Sequence, residues 1–447
     1  MITTLSLRNF KAFKHLERLD LKDLTILVGR NSCGKSSIIH SLLLLKQTLE
    51  SESENDLCIE GRYLKYSSLK EISHGSPSAN RANIEYEFGI AKDGTHDYPA
   101  QIRIAFKNDK RGGVYVPSIS HYSITKDDLT TRLDRMTKSA LRRHYGQVFA
   151  KIESGYKSSK TVINKFVPWN IDIVLETPPE RDNQILPNTH FATLPFLAGF
   201  RNEYELTRIF AKSVRSMRYL SPLRARPERA YIHYTDDAGL LDVDGSNSAH
   251  VLFAKRNETV IWKKELYSLE DAVNKCVKVI GLSQTLTPAR IGSIIYRVGM
   301  SLNGLTSSVS LADVGFGYSQ ILPLILLGLL STSSDLMLVE QPEIHLHPAS
   351  AANLADLFLG FVEDGKRFLV ETHSQEFINK LRLRVIQNPE LKSKINVVFV
   401  EQDEFSTASV KQFQIDENGM FPEWPQGFVD TSESLALQII NARIGGR

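Results

Sequence analysis

Leu24-Thr25-Ile26-Leu27-Val28-Gly29-Arg30-Asn31-Ser32-Cys33-Gly34-Lys35-Ser36-Ser37 is the stretch on which the fold of this 447-residue chain turns. A short apolar, strand-like run ends in Gly29. Gly34-Lys35-Ser36 follows, and an apolar helix is expected from Ser36 through Leu45. The pattern is G-x4-G-K-[ST] between a strand and a helix. Its spacing has a physical reason. Glycines let the backbone turn its N–H groups inward around phosphates. The start of the helix adds the positive end of its dipole. Lys35 brings a point charge to the β- and γ-phosphates, and Ser36 offers a hydroxyl to Mg2+. Gly29, Arg30, Asn31, Ser32, Cys33, Gly34, Lys35, Ser36 and Ser37 are therefore the candidate nucleotide-binding residues. A plain glycine turn before a helix is the bland reading, and the strand–loop–helix context argues against it.

A phosphate loop needs an acid near the Mg2+ shell. Leu336-Met337-Leu338-Val339 leads into Glu340 and breaks at Gln341-Pro342. Glu340 thus falls at a C-terminal strand tip, the end where α/β sheets hold ligands. Ser36 and Glu340 are the candidate Mg2+ ligands. Phe368-Leu369-Val370-Glu371-Thr372-His373-Ser374 is a further buried strand ending in polar residues. His373 either reaches a γ-phosphate or caps the helix expected from Gln375. Asp313-Val314-Gly315-Phe316-Gly317-Tyr318-Ser319-Gln320 places Gly315, Gly317 and Ser319 at the start of another apolar helix, a second anion-binding surface. One nucleotide does not readily use both surfaces of one protomer. Two protomers arranged head to tail can use each other's. Glu343, His345 and His347 raise the question of zinc, but no third ligand sits at helical spacing and no HExxH occurs, so zinc is a minor reading.

Elsewhere, 84–90 and 100–106 alternate with period two, as antiparallel strands do. Residues 125–165 are polar and basic with helical spacing, and 191–218 also read as helical. From 335 to 400 strands and helices alternate again. Both ends of the chain are α/β and the middle is not. The expected fold is α/β: a mixed sheet with flanking helices, built from both ends and split in sequence by a largely helical insertion. The expected segments are 1–120 and 216–447 for the two parts of the core, and 121–215 for the insertion.

Composition narrows the function classes. Lys and Arg number 54 against 51 Asp and Glu, a net charge of +3 that is far from a polybasic nucleic-acid coat. Apolar residues at 42% and charged residues at 23% are ordinary for a globular chain. Cys33, Cys58 and Cys276 are too widely spaced for a disulfide framework or a CxxC metal site, so a reducing cytoplasm is expected. The N-terminus lacks the build of a signal peptide. The longest apolar stretch, Ile321 to Leu330, is ten residues with Pro323 inside, whereas a membrane span needs about 20, so no membrane association is expected. Lys212, Arg215, Arg218, Arg224, Arg226 and Arg229 form a basic stretch beside Tyr219 and Tyr231. DNA or RNA phosphates, a partner protein and plain solvation of a helix face are equally open for it.

Taken in order, these pieces resemble the ABC-type ATPase heads of the SMC, RecF and OLD group. They are Leu7-Arg8-Asn9-Phe10-Lys11-Ala12-Phe13, Gly29 to Ser37, the glycine turn at 313–320, Glu340-Gln341-Pro342-Glu343-Ile344-His345-Leu346-His347-Pro348, and Glu371-Thr372-His373-Ser374. More narrowly, Tyr219-Leu220-Ser221-Pro222-Leu223-Arg224 and Trp424-Pro425-Gln426-Gly427-Phe428 resemble stand-alone bacterial ATPases of anti-phage defence, of the PtuA kind found in Septu systems. In such systems the ATPase works with a separate nuclease. The resemblance implies ATP and Mg2+ as cofactors and a homodimer or higher oligomer formed through an ATP sandwich. Lys35 and Ser36 of one copy would then face the glycine turn of the other, with Glu340 as the Mg2+-side acid and His373 as the switch histidine.

Two positions depart from the group. Gln341 stands where a water-activating glutamate is usual, and an amide cannot take a proton as a carboxylate does. Gly315-Phe316 stands where a serine often accompanies the glycine. Glu340, Gln341 and His373 are the catalytic candidates, and slow hydrolysis is expected. Val397-Val398-Phe399-Val400-Glu401-Gln402-Asp403 superficially resembles the first acidic strand of a Toprim nuclease, but 404–447 is too short for that fold. The leading expectation is an ATP-binding regulator of an effector nuclease. The alternatives are a RecF-like ATPase that contacts DNA through the basic stretch, and a scaffold that nucleotide merely stabilises.

Overall fold

Strands whose residues are apolar throughout need cover on both faces, and strands that alternate need it on one. The chain contains both kinds, in separate places. The computed structural model describes residues 1–53, 55–91, 100–176, 189–233, 239–282, 284–292, 294–301, 308–313, 316–404 and 406–421. They fall into two units, one of Met1–Asp20 with His40–Arg215 and one of Leu21–Ile39 with Ser216–Arg447.

The first unit carries the alternating strands. Six of them form an antiparallel sheet in the order Phe13–Asp20, Ile2–Phe10, Asn83–Ile90, Ala100–Arg111, Val114–Lys126, Leu129–Arg132. Asn83–Ile90 buries Ile84, Tyr86 and Phe88 on one face, and these rings pack against Phe10, Phe106 and Phe210. The segment read from sequence as largely helical does hold the helices Lys138–Ala150 and Arg201–Arg215. Between them lies a three-stranded antiparallel sheet of Tyr156–Asn164, Val167–Glu176 and Thr189–Pro195, which corrects the helical reading of 125–165 at its end and that of 191–218 at its start. The reason is local. In Tyr156–Asn164 the inward positions are Ser159 and Thr161, so the period of two is written in small polar residues.

The second unit carries the fully buried strands. Its main sheet runs in the order Arg218–Leu220, Leu336–Glu340, Arg367–Glu371, Leu24–Gly29, Ile395–Gln402, Ala408–Phe413. All neighbours are parallel except the last pair. Every residue of Leu24–Gly29, Leu336–Glu340 and Arg367–Glu371 is buried. The helices Phe316–Leu330, Pro348–Glu363 and Gln375–Gln387 bury Leu324, Leu354, Phe358 and Phe377 in the same apolar cluster as Ile26, Val339 and Val370. The two ends of the chain therefore do meet in one sheet, with the phosphate-loop strand central. Val397 to Gln402 is part of that sheet, and a further edge strand, Ala408–Phe413, folds back on it. No described helix is long and apolar enough to cross a membrane.

The strand register sets the position of the candidate site. Glu340 pairs with Glu371, and Glu371 pairs with Leu27, so the two acid-bearing strands end level with one another while the phosphate-loop strand between Leu24 and Gly29 runs on past Leu27. Their C-terminal tips form the rim of the site.

Candidate functional site

The loop after Leu24–Gly29 adopts backbone angles that favour glycine. Gly29 has φ +143, Gly34 φ +104, and Ser32 also lies in the left-handed region at φ +61. At Gly29 a Cβ would stand 2.2 Å from the Val400 carbonyl oxygen, so the neighbouring strand excludes any side chain there. The helix Lys35–Glu50 starts directly after Gly34. Lys35 is buried. Its Nζ donates to the carbonyls of Gly29 (3.1 Å) and Arg30 (2.6 Å) and lies 3.9 Å from Cys33 Sγ. Arg30, Asn31 and Ser32 are exposed, Gly34 and Ser36 are half-buried, and Cys33 and Ser37 are buried. Burial pushes the Cys33 thiol pKa up, against the pull of the Lys35 charge.

The rim opposite holds three carboxylates in distinct settings. Ser36 Oγ donates to Glu371 Oε2 at 2.7 Å. Burial raises the Glu371 carboxyl pKa, and the Ser36 hydrogen bond and the Lys35 charge work against that rise. Glu340 accepts instead from the Tyr219 hydroxyl at 2.8 Å. Tyr219 stands on the edge strand Arg218–Leu220, beside Leu338 in register. Burial, and then the neighbouring Glu340, drive its phenol pKa far up, so it stays a proton donor. Glu343 Oε1 accepts the His373 backbone N–H at 2.7 Å. Burial raises the Glu343 carboxyl pKa as well, against the pull of that hydrogen bond.

Arg224 ties the turn after the acidic strand. Its Nη atoms donate to the carbonyls of Glu340 and Gln341, each at 3.3 Å. Burial lowers its guanidinium pKa to about 10. Gln341 itself sits in the left-handed region at φ +45 and donates its N–H to the Glu371 carbonyl at 2.7 Å. A strained turn of this kind persists where its surroundings over-determine it.

The two readings of His373 can be separated. The cap of helix Gln375–Gln387 is Ser374, whose Oγ accepts from Phe377 N–H at 3.1 Å, so His373 is not the capping residue. Burial first, and then the Lys35 charge, lower the His373 pKa, so its imidazole is neutral at pH 7. His347 caps helix Pro348–Glu363 through Nδ1, which accepts from Ala349 N–H at 3.3 Å. Among the described residues no cluster of three His, Cys, Asp or Glu is arranged to hold a metal by itself.

Gly317 and Ser319 lie in the first turn of helix Phe316–Leu330, with Ser319 buried. Gly315 and the Trp424 to Phe428 motif lie outside the described residues. The basic stretch does not form one face. Lys212 and Arg215 are exposed on helix Arg201–Arg215 of the first unit. In the second unit Arg218 lies 3.8 Å from Asp335, Arg229 pairs with Asp313 at 2.9 Å, and Arg226 is exposed. Arg224 is only 8% exposed, which corrects its place among the surface cations: its guanidinium is spent on the turn at Gln341.

Sequence reasoning picked out the loop, Glu340, Gln341 and His373. It quoted Glu371, Tyr219 and Arg224 within motifs without giving them a part in the site. The visible signal was that Glu371 ends its strand as Glu340 ends its own.

The family model described as AAA ATPase domain (AAA_15) matches residues 1–188 and 257–378. A search of curated proteins returns no match. Among solved structures, the SMC head bound to the C-winged helix domain of ScpA aligns at 11% identity over 93% of this chain and 98% of that one, with a TM-score of 0.42. The SMC head domain from Thermotoga maritima aligns at 10% identity over 93% and 99%, with a TM-score of 0.39. An SMC head from Pyrococcus furiosus, bound to the C-terminal domain of ScpA, aligns at 10% identity over 98% and 99%, with a TM-score of 0.41. The family model covers well over half of the chain, and its two matched segments carry the phosphate loop and the acidic strand that the fold brings into one sheet; the chain belongs to the AAA ATPase domain family.

Proposed function

We propose that this chain is an ABC-type, Mg2+-dependent ATP-binding head of the SMC/RecF/OLD kind. On this reading it hydrolyses ATP slowly, pairs with a second copy around the nucleotide, and controls a separate effector nuclease in anti-phage defence. One observation carries the ATP part: the Gly29–Ser36 loop leaves the sheet beside two level strand tips that bear Glu340 and Glu371, with His373 just beyond the second.

The donor set fits the two groups. A triphosphate suits the loop N–H groups, the helix start and the Lys35 ammonium. Mg2+ takes hard oxygen donors and is usually held by one or two protein groups plus phosphates and water. The Ser36 hydroxyl and the Glu340 and Glu371 carboxylates are such donors, so a three-ligand protein cage is not required. When bound, Mg2+ would neutralise phosphate charge and orient the terminal phosphate.

The chain's own residues then divide the work. Lys35 holds the loop carbonyls and faces the phosphates. Tyr219 and Arg224 hold Glu340 and the turn behind it. His373, neutral because of burial and Lys35, offers an imidazole near the same rim. Gln341 can orient water but cannot accept its proton. Glu343 Oε1 accepts from the His373 backbone N–H, and the expectation of slow turnover rests on the amide at Gln341. Gly317, half-buried in the first turn of its helix, is the described residue offered to the second copy's nucleotide, while Ser319 of the same turn is buried.

Control of a nuclease rests on the resemblance of the motifs to defence ATPases. Direct DNA binding has less support, because Arg224 is buried and Arg218 and Arg229 lie beside Asp335 and Asp313. Light scattering with and without Mg-ATP tests the pairing: a mass that doubles with nucleotide is expected, and an unchanged mass contradicts it. A brisk ATPase rate from the isolated protein would contradict the slow-switch part.

A further inference from the structure

The acid expected on the metal side from sequence is Glu340, yet the hydroxyl of Ser36 is bonded to a different carboxylate. Glu371 lies between Glu340 and the phosphate-loop strand, paired with Glu340 on one side and with Leu27 on the other. Its backbone is fixed there, because the next N–H, from Thr372, donates to the Leu27 carbonyl at 3.1 Å. The Ser36 Oγ to Glu371 Oε2 distance of 2.7 Å is that of a charge-assisted hydrogen bond. A serine hydroxyl has one proton and two lone pairs. With its one O–H donated to Glu371, Ser36 keeps both lone pairs to offer to a cation. Glu340 meanwhile is held by Tyr219, one strand further from the loop.

We propose that Glu371 is the positioning residue for the metal-binding face: it accepts the hydrogen bond of the Ser36 hydroxyl, so aims the Ser36 oxygen at Mg2+, and supplies the charge that makes nucleotide affinity depend on the cation. The inference rests on the Mg-ATP reading above. A carboxylate near the phosphates repels them when no cation lies between and attracts the complex when one does. Glu371 therefore sets the difference between the two affinities.

The test titrates a fluorescent ribose-labelled ATP into the full chain, once with Mg2+ and once with EDTA. Glu371→Gln keeps an acceptor oxygen and the side-chain shape while removing the charge. Its expected result is an EDTA affinity equal to or tighter than wild type, with the gain on adding Mg2+ cut by about tenfold or more, the scale of losses when the partner of a metal ligand is removed. Glu371→Ala removes the acceptor as well, and its effect on the Mg2+ gain should be smaller in a Ser36→Ala background, because the part that acts through Ser36 is lost there while the charge part stays; an effect equal in both backgrounds overturns the positioning of Ser36. A structural role alone would leave the Mg2+ gain unchanged in Glu371→Gln, and that result overturns the proposal. Circular dichroism melts of each variant establish that folding is retained, and the near-isosteric Gln variant serves if the Ala variant unfolds. Wild-type protein that binds neither form of the probe would overturn the Mg-ATP reading itself, an outcome distinct from failure of the Glu371 assignment alone.

Discussion

Removing one oxygen, in Tyr219→Phe, tests how the acidic strand is held. The hydroxyl donates to Glu340 Oε1 at 2.8 Å, within a strand end that is 5% exposed at Glu340. Phenylalanine preserves the ring and its packing, so the change isolates the hydrogen bond. A bond to a charged acceptor contributes about 1.5–3 kcal/mol. A loss of about 2 kcal/mol is therefore expected. Hydrogen exchange reads it locally, as the opening free energy of amides in Leu336–Glu340. Amides of Asn83–Ile90, in the other unit, serve as the control and should not move. Opening free energies in Leu336–Glu340 that stay within about 0.5 kcal/mol of wild type would refute the claim that Tyr219 holds Glu340.

Two other perturbations have defined outcomes. His40 lies 3.4 Å from both Lys11 Nζ and the Tyr66 hydroxyl, and burial, then Lys11, lower its pKa from 6.5 to about 4. The unfolded chain therefore binds the His40 proton first as pH falls. Stability present above pH 6.5 is lost between 6.5 and about 4, by up to about 3 kcal/mol, and denaturation midpoints across that range should show a shallower slope in His40→Gln. Gln341→Glu restores a proton acceptor at the turn after the acidic strand. Steady-state phosphate release should rise by at least about tenfold, below what general-base catalysis usually contributes, and an unchanged rate would remove Gln341 as the reason for slow turnover.

Much of the site was legible because its strands are written as unbroken apolar runs that stop at a polar residue. Val339 before Glu340 and Val370 before Glu371 are such stops, and the glycine spacing at 29–34 is a local signal needing no partner. The contacts between these stops were not legible. Ser36 and Glu371 are 335 positions apart and Tyr219 and Glu340 121, so which acid faces which hydroxyl depends on strand order, which no local pattern carries. Strand order also explains the surprise at Glu371: Arg367–Glu371, not the acidic strand, is the neighbour of Leu24–Gly29. The basic stretch misled for a related reason. Arg224 reads as one of six similar cations, and only its packing under Gln341 removes it from the surface. In the insertion, the strand Tyr156–Asn164 was hidden because Ser159 and Thr161 occupy its inward positions. The last strand, Ala408–Phe413, was missed because Gln412 interrupts the face of Ala408 and Val410.

The central claim is that the Gly29–Ser36 loop binds Mg-ATP, and isothermal titration of Mg-ATP into wild-type and Lys35→Ala protein tests it most directly. Lys35 is buried within the loop, where its ammonium would serve both the loop carbonyls and the phosphates. One nucleotide per chain is expected in the wild type. Lys35→Ala should bind about 10- to 100-fold more weakly, the equivalent of one lost charge-assisted contact of about 1.5–3 kcal/mol. A wild-type chain that gives no heat of binding, or a Lys35→Ala chain that binds Mg-ATP as tightly as wild type, would contradict it.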